Sequence, residues 1–354
     1  MSKKEINKQE QELQRLDRQL IELLERRFAL TDHIAELPPE GPEGLRSWLD
    51  SLTDRERLTV PDSLLRTLFR EVRAAAAARR QPRRIAYLGP PATFTHQAAR
   101  LYFGADVEYA AQATIGEVFT AVSRQSCHFG VVPVENSTEG AVTHTLDMFV
   151  DTDLKIRAEI NMAIHHCLLC RGERDDLQTI YSHPQVLGQC RAWLRRHLPK
   201  AHLVEVSSTT EAAARCSREL RSGALAGELA ARQYNLPVAE RNIEDFSGNT
   251  TRFLVLGREL TKPSGEDKTS LLLVVRDRVG ALYDALLPFG RHGVNLTFIE
   301  SRPSKRRNWE YYFFIDLGGH VEDEAVRRTL DELREHCELV KVLGSYPRGE
   351  TEEQ

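Results

Sequence analysis

The 354-residue sequence predicts a multidomain protein in which an all-α helical N-terminal segment, an α/β domain and an α+β domain of ferredoxin-like order follow one another. Three observations carry this expectation. Residues 10–37 repeat apolar side chains every seven positions, as a helix with one buried stripe does. From Ile85 onward, short apolar strands alternate with helices, the pattern of an α/β sheet that is largely parallel. Beyond residue 268 the order is strand, helix, strand, strand, helix, strand, or βαββαβ. The chain is too long for one ordinary hydrophobic core, so two or three domains are expected.

Composition narrows the function classes. Apolar residues make up 41% of the chain and charged residues 28%, and no apolar run approaches the ~18 positions that a membrane helix needs. The start, MSKKEINKQEQELQRL, lacks the apolar stretch of a secretion signal, so a cytoplasmic protein with no membrane partner is expected. A net charge of −4 gives no general attraction to nucleic acid, so any anionic ligand must be held by local cations. Among the six cysteines, Cys167 and Cys170 in HHCLLC invite a metal reading together with His165 and His166. However, INMAIHHCLLC reads as one apolar buried strand, and no second CxxC or spaced histidine pair follows it. Reduced core thiols and no metal are therefore expected.

In the N-terminal segment, Leu13, Leu20 and Ile34 fall on one seven-residue spacing and Leu16, Leu23 and Leu30 on its companion. Arg27 takes the remaining position of the first series. A cation there must be paired, hold an anion, or snorkel to the helix margin. The loop PPEGPEG ends the helical pattern, helices are expected over 44–57 and 62–80, and QPRR at 81–84 reads as a linker.

In the α/β region, strands are expected near 128–134, 178–181, 202–206 and 252–257. TIGE at 114–117 and STTE at 208–211 have the form of capping boxes. Ligands of such sheets sit at the carboxyl ends of strands. Three loops there, GPPATFTH at 89–96, VPVENSTEG at 132–140 and SHPQ at 182–185, carry small hydroxyl and amide side chains and are each expected to open a helix. Helix N-termini of this kind suit carboxylates. A fourth segment, DFSGNTTRFLVLG at 245–257, sets Asn249, Thr250, Thr251 and Arg252 just before a buried strand. In a site without water a threonine hydroxyl can donate a proton to a departing hydroxide, and a guanidinium can clamp a carboxylate. KPSGEDK at 262–268 reads as a second linker.

GPPATFTHQAA, VPVENSTEGAV, SHPQVLGQC and GNTTRF together resemble, in order and spacing, the signature segments of the prephenate dehydratases, over essentially all of residues 84–258. The resemblance implies a two-lobed α/β domain over 84–260, like periplasmic binding proteins, with the site between the lobes. It implies that Thr251 is catalytic with Arg252 beside it as a substrate-carboxylate ligand, and that Thr93, Asn136, Ser137, Gln185 and Asn249 line the cleft. It implies prephenate as substrate, loss of carbon dioxide and hydroxide to give phenylpyruvate, and no cofactor. Residues 268–350 resemble an ACT domain, and GALYDAL and IESRP resemble its phenylalanine-sensing form. That implies phenylalanine as effector near Gly280, Ala281, Leu282, Asn295, Glu300, Ser301, Arg302 and Pro303, and a homodimer or homotetramer.

Residues 1–80 resemble the helical chorismate mutases fused to such enzymes, with Arg27, Arg55 and Glu56 matching that family's polar positions. Pro38 stands where the family has a lysine, Glu10 where it has an arginine, and Ala76 and Arg80 where polar ligands are expected, so little mutase activity is predicted. Two alternatives to prephenate dehydratase stay open. Arogenate dehydratase shares the fold and the threonine, whereas a non-catalytic amino-acid sensor would have no use for a proton donor at 251.

Overall fold

The computed structural model describes residues 3–33, 48, 49, 51, 59–80, 83–275, 278–304, 311–349, 351 and 352. The chain forms two compact units, one of residues 1–82 and 103–107 and one of 83–102 and 108–354.

The first unit contains helices α1 (Lys3–Thr31) and α2 (Asp62–Arg80). Along α1 the predicted stripe of Leu13, Leu16, Leu20, Leu23 and Leu30 is about half exposed or more, while α2 buries Val72, Ala76 and Ala77. Arg79 pairs with Asp32 at 3.1 Å. Of the helix expected over 44–57, Trp48, Leu49 and Ser51 are described and are helical. Ile34, Pro38, Arg55, Glu56 and the PPEGPEG loop lie outside the described residues.

The second unit is built on two sheets. Its first lobe uses β1 (Arg84–Leu88), β2 (Glu108–Gln112), β3 (Phe129–Asn136), the short β4 (Gly140–Ala141), β5 (Lys155–Ala163) and β11 (Thr250–Gly257), with helices α3 (Phe94–Phe103), α4 (Ile115–Ser123) and α5 (Thr143–Val150). Strand order here is β5-β11-β3-β1-β2. The expected largely parallel sheet is in fact mixed: β1 runs parallel to β2 and β3, but β11 is antiparallel to both β3 and β5. Apolar periodicity marks a strand and says nothing of its direction. Both predicted N-caps form, with Thr114 Oγ1 accepting from Glu117 N at 3.2 Å and Ser208 Oγ from Glu211 N at 3.0 Å, while the glutamates reach back one residue further than in a capping box, to Ala113 N and Ser207 N.

The second lobe holds β6 (Cys167–Cys170), β7 (Thr179–Ser182), β8 (His202–Glu205), β9 (Ser222–Ala226) and β10 (Val238–Glu240), ordered β10-β6-β9-β7-β8. Around it lie α6 (Pro184–Gln189), α7 (Arg191–His197), α8 (Thr209–Cys216) and α9 (Glu228–Tyr234). INMAIHHCLLC is therefore not one strand: β5 ends at Ala163, β6 starts at Cys167 in the other sheet, and residues 164–166 cross between the lobes. The return crossing runs alongside. Ile164 N donates to Asn249 O at 2.8 Å, and Ile243 N donates to His166 O at 3.0 Å. Cys167 and Cys170 are buried in β6, and burial pushes the Cys167 thiol up to about 11.

The last segment has the predicted βαββαβ order: β12 (Asp267–Val275), α10 (Ala281–Arg291), β13 (Leu296–Pro303), β14 (Tyr311–Gly318), α11 (Glu324–His336) and β15 (Cys337–Pro347), followed by β16 (Thr351–Glu352). Its strands, ordered β13-β14-β12-β15, continue the first lobe's sheet through β5. The β15–β5 junction has a single paired position, Gly344 opposite Ile156. A Cβ on Gly344 would stand 2.3 Å from Ile156 O, so only glycine allows that approach. One apolar core crosses the junction, joining Ile156, Phe149 and Leu254 to Leu272, Phe314 and Leu343.

Candidate active site

Thr251 is the second residue of β11, next to the return crossing and opposite Asn136, the last residue of β3. Asn136 Nδ2 lies 2.8 Å from Thr251 Oγ1 and 2.8 Å from Asn249 Oδ1. An amide nitrogen carries two protons and accepts none, so both are committed here and Thr251 Oγ1 must be the acceptor. The hydroxyl proton of Thr251 is thus left to be given to something else. Asn136 is itself oriented by its Oδ1, which accepts from Thr138 N at 3.0 Å and Thr138 Oγ1 at 2.6 Å.

The chain of amides continues into the second lobe. Asn249 is buried, and its Nδ2 donates to Gln189 Oε1 at 3.4 Å. Gln189 Oε1 also meets His166 Nε2 at 2.8 Å. A carbonyl oxygen only accepts, which places the imidazole proton on Nε2 and leaves Nδ1 bare. Among the described residues, His166 Nδ1 is buried without a hydrogen-bond partner. Burial, opposed by Gln189 and Glu244, lowers the His166 pKa and keeps the ring neutral. The backbone beneath is held by Glu244, whose Oε2 accepts from His166 N at 2.9 Å and whose Oε1 lies 2.7 Å from His165 Nδ1.

The other predicted site residues fall in several places. Thr93 is the residue before α3; its hydroxyl accepts from His96 N at 3.3 Å and donates to Leu88 O at 3.1 Å. Ser137 stitches the site's two strands, accepting at Oγ from Thr250 N at 2.9 Å. Gln185 is exposed on the first turn of α6, and the glutamine that reaches Asn249 is Gln189, one turn further on. The repeated glutamine in SHPQVLGQ, spaced one helical turn, is the signal that could have found it. His166 was legible only as part of an apolar strand or as a candidate metal ligand beside Cys167 and Cys170, not as a member of this chain of hydrogen bonds.

Arg252, expected as a clamp for a substrate carboxylate, is turned away from this chain of amides. Neighbouring side chains of a strand point to opposite faces. Its Nε lies 2.6 Å from Glu159 Oε2 and its Nη1 2.7 Å from Asp316 Oδ2. With its charge already met by Glu159 and Asp316, Glu135 also 3.9 Å from Nη1, and its side chain 12% exposed, the guanidinium is not positioned for an incoming anion.

At the other end of the unit, Gly280 precedes α10 with a φ of +79°, and a Cβ there would meet nothing within 4 Å. Ala281 is buried, Leu282 half-buried and Asn295 exposed. On β13, Glu300 and Arg302 are half-buried and Ser301 and Pro303 exposed. Arg302 faces Asp147 of α5 at 3.4 Å. In the first unit, Arg27 Nη1 is buried without a hydrogen-bond partner among the described residues, and its guanidinium lies 5.7 Å from the Trp48 ring centroid.

A family model described as prephenate dehydratase matches residues 85–261, and one described as ACT domain matches 269–335. The chain belongs to the prephenate dehydratase family. Among relatives of this dehydratase, the bifunctional chorismate mutase/prephenate dehydratase of Aquifex aeolicus is 42% identical, with 98% of each chain covered. The solved prephenate dehydratase of Arthrobacter aurescens, in complex with L-Phe, is 33% identical with a TM-score of 0.70, covering 75% of this chain and 90% of that one. A protein described as GqqA, a quorum quenching acylase, has the same TM-score of 0.70 at 30% identity, covering 75% of this chain and 98% of that one. The dehydratase chain contains no helix, among the described residues, long and apolar enough to cross a membrane.

Proposed function

We propose that the chain is a prephenate dehydratase of phenylalanine biosynthesis, inhibited by phenylalanine through its ACT domain, with Thr251 as proton donor. The observation that carries the chemistry is the single direction of the Asn136–Thr251 hydrogen bond. In the reaction the bond from the ring to its carboxylate breaks and releases carbon dioxide. The electron pair enters the ring, the ring carbon–oxygen bond breaks, and Thr251 gives its proton to the departing hydroxide. Water then leaves, and the threonine is reprotonated from solvent. A hydroxyl is a weak acid, so its use depends on exact placement and exclusion of water. The lines of amides on both sides of the crossings supply the placement.

Asn136 and Asn249 act on this reading by orienting the donor, while Thr93, Ser137 and Gln185 lie on loops proposed to touch the substrate. Phenylalanine is proposed to bind near Gly280 and the 300–303 strand, in a cytoplasmic homo-oligomer. The test is to supply purified protein with prephenate, arogenate, chorismate and an acylated substrate of quorum quenching acylases separately. Phenylpyruvate from prephenate, suppressed by phenylalanine, is expected. Turnover of arogenate alone, or of the acyl compound alone, would replace this reading.

A further inference from the structure

Arg252 sits at the centre of a buried ion cluster that crosses from the catalytic strand into the effector domain. Its Nε reaches Glu159 on β5, its Nη1 reaches Asp316 on β14, and its Nη2 donates to Tyr346 OH on β15 at 3.0 Å. The guanidinium carbon also lies 6.0 Å from the ring centroid of Phe298 on β13. Lys268 on β12 contacts both oxygens of Glu159 at 2.8 Å, and Ser270 donates to Asp316 Oδ1 at 2.5 Å. Ser270 Oγ lies 2.6 Å from Tyr346 OH, closing the ring of contacts. Arg252 and Lys268 thus face Glu159 and Asp316 at close range, with the half-buried Glu135 at 3.9 Å from Arg252 Nη1 as a more distant third carboxylate, and Glu159 and Tyr346 are fully buried. Removing one member strands the charge of another, so the cluster holds together or rearranges as a whole.

Its position gives this cohesion a consequence. The first lobe and the effector domain share a sheet, yet on β5 the backbone pairing is short, one position with β15 and two with β16. The ion cluster bridges that narrow junction and ends on the residue after Thr251. A shift of β14 pulls on Arg252 through the Asp316 ion pair and a shift of β15 through the Tyr346 hydrogen bond, and a rotation of the Arg252 backbone turns Thr251 on the opposite face of the strand.

We propose that Arg252 is a positioning residue, and that the Arg252–Asp316–Glu159 cluster is the route by which the effector domain sets the dehydratase rate. This rests on the functional reading above. An effector that prefers one arrangement of the ACT strands biases the arrangement of the cluster, and thereby the aim of the Thr251 hydroxyl.

The test uses full-length Asp316→Asn, Arg252→Gln, Arg252→Lys and Tyr346→Phe, with prephenate kinetics at zero and saturating phenylalanine and calorimetry of phenylalanine binding. Asp316→Asn is expected to bind phenylalanine like the wild type but to lose inhibition at saturation by about tenfold, within the usual range of allosteric coupling. Arg252→Gln is expected to lower kcat far more than it raises KM, and Arg252→Lys to recover part of that loss. Should Asp316→Asn fail to fold, Tyr346→Phe reads the same coupling after removal of one hydroxyl. Inhibition of the folded variant equal to wild type would overturn the proposal, and so would loss of phenylalanine binding in Asp316→Asn. An Arg252→Gln enzyme with raised KM and intact kcat would return Arg252 to the substrate. A wild-type protein without dehydratase activity or phenylalanine inhibition would instead remove the functional reading itself.

Discussion

Asn136 Nδ2 stands 2.8 Å from Thr251 Oγ1, and it can only donate. A carboxylate at position 136 would reverse this, accepting the Thr251 proton instead of leaving it for the substrate. Asn136→Asp is therefore expected to cost ~10²-fold or more in kcat, close to the effect of Thr251→Val. Steady-state kinetics on variants with native melting curves check this. An Asn136→Asp enzyme of near wild-type kcat would take the hydroxyl out of the reaction.

Gln189 Oε1 accepts from both His166 and Asn249. Gln189→Leu leaves two donors without a partner, one of them on the fully buried His166, at a typical cost of ~1–3 kcal/mol per buried group. Lower stability in denaturant melts together with lower kcat is expected. Gln189→Glu keeps the acceptor and should be the milder change. If both variants keep wild-type kcat, the second lobe's amides have no part in aiming Thr251.

A pH dependence follows from His96. Its Nδ1 accepts from Ala92 N at 3.0 Å, and its ring stacks on Tyr87 with centroids 4.4 Å apart. Burial, with help from Arg100, pushes its pKa from the ordinary 6.5 down to about 4. The folded protein thus favours the neutral ring, and the unfolded chain binds the extra proton at higher pH. This contribution to stability is complete above pH 6.5 and is lost as pH falls through 4. Melting temperature measured across that window is expected to fall with acid, and less so in His96→Asn, which keeps an acceptor but does not titrate. Parallel curves for the two proteins would contradict it.

The N-terminal helices are expected to turn over chorismate slowly, although relatives that span nearly the whole chain are named for both activities. A mutase grips a compact dicarboxylate and donates to its ether oxygen as charge develops. Loss of one such donor typically costs ~10²–10³-fold, and proline at 38 offers none. Chorismate consumption at a rate near that of prephenate would refute the expectation. Pro38→Lys failing to raise a slow rate would remove its stated cause.

The sequence was most informative where chemistry and position coincide. Asn136, Asn249 and Thr251 are polar residues at strand ends, and the fold joins them by direct hydrogen bonds. The βαββαβ order at the C-terminus was legible because each element there has a clear apolar period. Faces and crossings were harder to read. Adjacency in TR says that Thr251 and Arg252 are near, but alternation along a strand separates what they touch. His165 and His166 looked like strand residues because their neighbours are apolar, while His165 Nδ1 and His166 Nε2 meet Glu244 and Gln189, far away in sequence. The strand β2, with its half-buried EYAAQ pattern, and the three-residue β10 carry too little periodicity to be seen.

The shared sheet means that the sensor is not a detachable module. Cutting the chain before β12 would remove Lys268 and Asp316, leaving Arg252 alone to neutralise Glu159. It would also strip β15 and β16 from β5, turning an interior strand into a raw sheet edge of the kind that recruits other chains. A truncated enzyme should therefore aggregate or unfold before it reveals an uninhibited rate. Relief from feedback is better sought in point substitutions, and a lineage that discarded this domain would first have to rebuild the wall it forms.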